Sequence, residues 1–254
     1  MKNPKNKFKK NLKLGVQQIG IWNTIGGNTV PEALANCGFD WVLVDTEHAA
    51  VETVEVISAL QAIAGYPDVS AVVRPAANDP VLIKRILDMG ALTLLLPYVQ
   101  TQEEAIAAVR SVSYGPEGVR GIAGSTRATR YGRVENYFQH AREEICLLVQ
   151  VETISAIQEL EKIATTPGID GIFIGPGDLS SSMGFPGQLG HPEVVAVIKD
   201  ALNMLNNLGI PSGILALDEA SAKMYMKCGT IFTAVGVDLV LLTNAARNLR
   251  HCLR

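Results

Sequence analysis

Leu147-Leu-Val-Gln-Val-Glu152 and Gly171-Ile-Phe-Ile-Gly175 are the stretches on which the fold turns, because their apolar character is nearly continuous and does not alternate with polar residues. Continuous runs of this length suit strands buried on both faces, and burial on both faces belongs to parallel sheets covered by helices. Six further runs have the same character: Gln18-Ile-Gly-Ile-Trp22, Trp41-Val-Leu-Val-Asp45, Ser70-Ala-Val-Val-Arg74, Thr93-Leu-Leu-Leu-Pro97, Ser212-Gly-Ile-Leu215 and Ile231-Phe-Thr-Ala-Val235. Between them lie segments such as Val30-Pro-Glu-Ala-Leu-Ala-Asn-Cys-Gly38 and Asp79-Pro-Val-Leu-Ile-Lys-Arg-Ile-Leu-Asp-Met-Gly90, with proline near the start and glycine after the end, as helices prefer. Strand, helix and glycine repeated eight times predict one α/β domain over residues 1–254, a (β/α)8 TIM barrel with a lysine-rich lead-in at 1–14. Two doubly wound domains would need a linker or a composition shift, and the chain has neither.

The composition narrows the partners. Of 254 residues 48% are hydrophobic, and 22 Lys plus Arg against 25 Asp plus Glu leave a net charge of −3. With no basic surplus, nucleic acid is not an expected partner. No apolar run approaches the roughly 20 residues that span a bilayer, so no membrane association is expected either. Cys37, Cys146, Cys228 and Cys252 are scattered and form no CxxC pair, which reads as reduced thiols of a cytoplasmic protein. The lysines of Met1 to Lys13 precede no apolar signal segment, and a solvated amphipathic helix is expected there.

In such a barrel the strand ends carry the chemistry. The runs end on Trp22, on Asp45-Thr-Glu-His48, on Arg74, on Pro97-Tyr-Val-Gln100, on Gln150-Val-Glu152 and on Gly175-Pro-Gly-Asp178. A glycine-rich stretch, Tyr114 to Thr126, follows the fourth strand and its helix, and is expected on the same catalytic face. Glu152 and Asp178 lie on adjacent strands and suit a hard cation such as Mg2+ or Mn2+, completed by substrate oxygens; the alternative is pairing with an arginine, or Asp178 as a helix N-cap. His48 beside Asp45 and Glu47 has the setting of a general base, against the plainer reading of a structural histidine. Arg74 can clamp a carboxylate or polarise a keto oxygen, or be a simple ion pair. There is no GxSxG nucleophile elbow and no lysine on a strand end, which disfavours a Schiff base and favours a metal-dependent aldolase. Sparse glycine after the seventh and eighth strands disfavours a phosphorylated substrate.

With these residues assembled, the sequence resembles the HpcH/HpaI-type aldolases, class II pyruvate aldolases that depend on a divalent metal. The resemblance rests on Gly38-Phe-Asp-Trp-Val-Leu-Val-Asp-Thr-Glu-His48, Val73-Arg-Pro75, Ile86-Leu-Asp-Met-Gly90, Tyr114-Gly-Pro-Glu-Gly-Val-Arg-Gly121, Arg127-Ala-Thr-Arg-Tyr131, Val149-Gln-Val-Glu-Thr153 and Gly171 to Ser180. It implies a barrel of the phosphoenolpyruvate/pyruvate type, with Glu152 and Asp178 holding Mg2+ or Mn2+, or Co2+ or Zn2+ in their place. It implies that Arg74 stabilises the enolate oxygen and that His48, oriented by Asp88 with Asp45 nearby, transfers the proton. Amides of Gly177 and Asp178 would receive the pyruvate carboxylate, and Gln150, Trp22 and Leu215 would line the pocket. The substrates implied are a small 2-keto acid, pyruvate or hydroxypyruvate, and an aldehyde that would bind near Ala123-Gly-Ser-Thr126. A homohexamer, a trimer of dimers that exchange the C-terminal helix with Val240 to Asn248 at the interface, is also implied. Citrate-forming or decarboxylating enolate chemistry on the same site, and a barrel that only binds a keto acid, are the rival readings.

Overall fold

The structure is a computed structural model that describes residues 1–253. Helix α1 (Lys7–Lys13) precedes β1 (Gln18–Asn23), α2 (Thr29–Ala35), β2 (Trp41–Asp45), α3 (Val56–Ile63) and β3 (Ser70–Arg74). There follow α4 (Pro80–Asp88), β4 (Thr93–Leu96), α5 (Gln102–Val112), α6 (Tyr137–Glu144), β5 (Cys146–Val151), α7 (Ile154–Gln158) and α8 (Leu160–Ala164). The last elements are β6 (Gly171–Ile174), α9 (Pro176–Ser182), α10 (Pro192–Asn207), β7 (Ser212–Leu215), α11 (Glu219–Lys227), β8 (Phe232–Val237) and α12 (Asp238–Cys252). The eight strands pair in parallel in sequence order and close, β8 against β1, as the apolar runs predict. Every residue of β2, β4, β5 and β6 is buried, which is the physical reason their sequences do not alternate. Among the described residues no helix is long and apolar enough to cross a membrane.

Two cores hold the barrel. One lies between strands and helices; the other fills the interior with Phe8, Trp22, Trp41, Leu43, Phe173 and Phe232 among others. The aromatic rings meet edge to face, Phe8 at 5.9 Å from Trp41 and 5.7 Å from Phe232. Gly20 makes room for this packing, since a Cβ there would stand 2.1 Å from the Trp41 ring.

The lead-in helix is amphipathic as expected, with Lys7, Lys10 and Lys13 exposed, but its other face is buried rather than solvated. Phe8 and Leu12 of α1 are buried in the interior core, so the helix plugs the N-terminal end of the barrel. Lys9 follows them inward, donating to the carbonyl of Ile145 at 2.6 Å and pairing with Asp170 at 3.2 Å. Its long stem lets a charged residue reach its partners while its neighbours fill the core, which a count of lysines does not reveal.

The glycine-rich stretch is also displaced from its expected face. Helix α5 runs back from the mouth and ends at Val112, and β5 begins at Cys146, so residues 113–136 lie at the N-terminal end. Contacts to the last turn of α4 hold the segment there: Arg120 Nη2 to Asp88 Oδ1 at 2.7 Å, the Ala128 amide to the Asp88 carbonyl at 3.1 Å, and Arg127 Nη1 to the Met89 carbonyl at 2.8 Å. Ala123 to Thr126 therefore cannot line the mouth of their own chain. At the C-terminus α12 leaves the barrel with only Asp238 buried, and Leu239, Val240, Leu241, Leu242 and Leu249 stand exposed.

Candidate active site

The register of β2 and β3 sets Asp45 directly beside Arg74. Arg74 Nε donates to Asp45 Oδ1 at 2.9 Å and Nη2 to Oδ2 at 2.7 Å, a two-pronged pair with both side chains buried. The guanidinium lies 5.1 Å from the centre of the Trp22 ring, and Trp22 Nε1 donates to Asp45 Oδ2 at 3.3 Å. Burial pushes Asp45 up, but the hydrogen bonds and charge of Arg74 outweigh it and hold the carboxyl below its usual range. Beyond β2 the chain turns, and Thr46 ties the turn to β3 through its amide and hydroxyl, both donating to the Arg74 carbonyl. Glu47 then faces the same guanidinium, its Oε2 2.8 Å from Arg74 Nη1.

Across the mouth, Glu152 follows β5. Its Oε1 accepts the Tyr98 amide at 2.7 Å and its Oε2 accepts the Gln150 side-chain amide. Gln150 is buried and its Oε1 has no hydrogen-bond partner among the described residues. Gly175, at the turn from β6 to α9, allows the approach, because a Cβ there would lie 2.5 Å from Glu152 Oε2. Asp178 sits in the first turn of α9, with Gly175 rather than Asp178 at the N-cap. Gly177 faces open space, and Leu215 at the end of β7 packs on the interior core near Trp22.

The electrostatics of the mouth are unbalanced. Burial raises Glu47 to about 7, with Asp45 and Asp178 adding to the effect and Arg74 opposing it. Burial likewise raises Glu152 to about 7, against the hydrogen bonds from Gln150 and Tyr98 and with Glu47 and Asp178 adding to it. Glu47, Glu152 and Asp178 thus crowd negative charge around one arginine, an arrangement that a hard cation relieves. Among the described residues no group of three or more His, Cys, Asp and Glu side chains converges as a complete cage, so any ion here would keep positions for other oxygens.

The expected site residues therefore divide. Trp22, Asp45, Arg74, Gln150, Glu152, Gly177, Asp178 and Leu215 gather at the mouth. His48 stands at the rim, its side chain 66% exposed and Nε2 3.9 Å from Glu47. Asp88 does not join them: it ends α4 at the opposite end of the barrel and pairs with Arg120. Within one chain it cannot orient His48. Glu47 is the residue that sequence reasoning left aside. Its signal was its place in the acidic run at the end of the second strand, two residues after Asp45, whose carboxylate accepts the Glu47 amide at 3.0 Å.

A family model described as HpcH/HpaI aldolase/citrate lyase matches residues 18–245. A protein named pyruvate aldolase from Rhizobium etli is 56% identical over 98% of this chain and 98% of its own. One named hydroxypyruvate/pyruvate aldolase from Sagittula stellata is 52% identical over 96% of each. The crystal structure of an HpcH/HpaI aldolase/citrate lyase family protein from Burkholderia cenocepacia superposes with a TM-score of 0.94 at 37% identity, covering 98% of this chain and 99% of that one. Strand order, site residues and these likenesses agree: the chain belongs to the HpcH/HpaI aldolase/citrate lyase family of carbon–carbon lyases.

Proposed function

We propose that the protein is a divalent-metal-dependent aldolase that splits, or in reverse forms, 4-hydroxy-2-keto acids, with pyruvate or hydroxypyruvate as the keto acid and an aldehyde as the second product. The observation that carries this reading is Arg74, fixed by Asp45 and facing a mouth in which burial pushes Glu47 and Glu152 to about 7. Glu152 and Asp178 would hold Mg2+ or Mn2+ with the substrate's oxygens and water. When bound, the cation supplies positive charge where negative charge develops on the keto acid.

The chain's own residues do the rest. A guanidinium has five N–H donors; two go to Asp45 and one faces Glu47, which leaves one on each Nη for the keto oxygen. Gln150 and Trp22 wall the pocket, and the bare surface of Gly177 admits the substrate carboxylate at the start of α9. His48 removes the proton of the 4-hydroxyl; the C3–C4 bond breaks, its electron pair passes to the enolate, the hydroxyl carbon leaves as an aldehyde, and return of the proton to C3 gives the keto acid. Asp88 would serve His48 only from a second copy, which fits the expected hexamer and the exposed apolar face of α12.

The test is pyruvate release from a 4-hydroxy-2-keto acid, followed by lactate dehydrogenase. Chelation is expected to abolish activity and Mg2+ or Mn2+ to restore it, and Glu152→Gln and Arg74→Lys to lower kcat/KM by about 10²-fold or more. Activity that survives full chelation would overturn the metal assignment.

A further inference from the structure

Asp238 opens α12 and is the buried residue of that otherwise bare helix. Its carboxylate collects five donors: the Asn23 side-chain amide at 2.7 Å, the Thr24 amide at 3.0 Å and hydroxyl at 2.8 Å, the Ile25 amide at 3.1 Å, and the Leu239 amide at 2.7 Å. All five are uncharged, and four belong to the end of β1 and the turn after it. Burying a carboxylate is costly, and a full set of donors offsets that cost. A helix start is served by a serine or threonine hydroxyl, so the start of α12 does not by itself call for a carboxylate bonded mainly to another strand.

The barrel ladder is irregular at this place. Gly20 pairs with Ala234 but Trp22 pairs with Val237, so β8 takes three steps where β1 takes two. The surplus falls at Val235 and Gly236, the latter at φ +145°, and such a bulge interrupts pairing and re-aims side chains. On its other edge β1 stays in register with β2, Trp22 opposite Leu43 and Asn23 opposite Val44. On the β8 edge Asp238, one residue beyond Val237, takes over from the interrupted ladder. What depends on this grip is the Trp22 indole, whose Nε1 reaches Asp45 Oδ2 at 3.3 Å and whose ring lies 5.1 Å from the Arg74 guanidinium. A hydrogen bond already at the long end of its range is lost by a small shift of the strand end.

We propose that Asp238 is a positioning residue of the mouth, holding the end of β1 so that Trp22 stays against the Asp45–Arg74 pair. Its effect on turnover rests on the reading of Arg74 as the group that meets the keto oxygen. The first measurement needs no activity: Trp22 and Trp41 are the two tryptophans, both buried, and resist acrylamide quenching in the parent. Asp238→Asn, which sets an amide among donors, is expected to raise quenching severalfold, and the rise is expected to vanish in a Trp22→Phe background. The second is pyruvate release: Asp238→Asn is expected to lower kcat by about tenfold with KM little changed, as misplacement of a group that acts in the transition state does. The double variant is expected to be no slower than Trp22→Phe alone, whereas a merely structural role would make the two losses multiply. Thr24→Val removes one hydroxyl donor, and is expected to raise quenching in the same direction by less; it decides the matter where Asp238→Asn does not fold. Parent-like quenching in both variants, a rise that persists without Trp22, or losses that multiply would overturn the proposal. A parent that releases no pyruvate would overturn the aldolase reading instead, and quenching would still decide whether Asp238 places Trp22.

Discussion

Asp88 accepts a 2.7 Å hydrogen bond from Nη2 of Arg120, whose side chain is wholly buried, at the end of the barrel opposite His48. The Tyr114 ring lies 4.6 Å from the Arg120 guanidinium, so the cation that fixes Asp88 is itself fixed. Asp88 remains partly exposed.

If Asp88 acts on His48 of another copy, then His48→Ala and Asp88→Asn chains, each inactive alone, are expected to complement when co-expressed. In a random mixture about a quarter of the mouths would combine an intact His48 with an intact Asp88. Steady-state activity of the purified mixture checks this, and a mixture as inactive as its parts refutes it.

Gly175→Ala is expected to displace Glu152, since the new Cβ would lie 2.5 Å from its Oε2 and 2.8 Å from its own Cβ. Loss of Mn2+ affinity of about tenfold or more is expected from such misplacement of a ligand. Gly177→Ala meets nothing within 4 Å and is expected to bind Mn2+ like the parent. Titration calorimetry of both variants is the check, and equal affinities would refute the role of Gly175.

Stability without metal is expected to fall as pH rises. Glu47 and Glu152 move from a usual 4.5 to about 7 on folding, so the folded chain holds extra protons between those values and loses that advantage as pH climbs through 7. Asp45 has the opposite sign: held below its usual 3.8, it stabilises above that value and ceases to do so in stronger acid. Thermal melts of chelated protein are therefore expected to peak between pH 4 and 5. Glu152→Gln is expected to flatten the decline toward pH 8. A melting temperature that rises steadily from pH 5 to 8 contradicts the assignment.

Phe8→Ala is expected to destabilise by about 3–5 kcal/mol, the range for deleting a fully buried aromatic. Urea unfolding measures it. Loss below about 1 kcal/mol would mean that the lead-in helix is dispensable as a plug.

The strands, their order and the polar groups at their ends were legible because both follow from local chemistry. A strand buried on both faces must be apolar throughout, and a charge at its end is conspicuous, as with Arg74, Glu152 and Asp45.

What the chain could not show by itself was which end of the barrel a residue occupies once it leaves a strand. The segment from Tyr114 to Thr126 reads, along the chain, as a neighbour of the mouth, and the family resemblance sets Asp88 beside His48, yet α4 and α5 carry both the length of the barrel to its far end. The lysine-rich lead-in reads as solvent-facing, yet an open barrel end exposes interior core and draws Phe8 and Leu12 into it. Local pattern determined the barrel, its acids and its arginine. The pairing of neighbouring strands decided which of them meet, because Asp45 and Arg74 come within hydrogen-bond reach only through the register of β2 against β3, and closure of the sheet then sets Glu152 across the mouth from them.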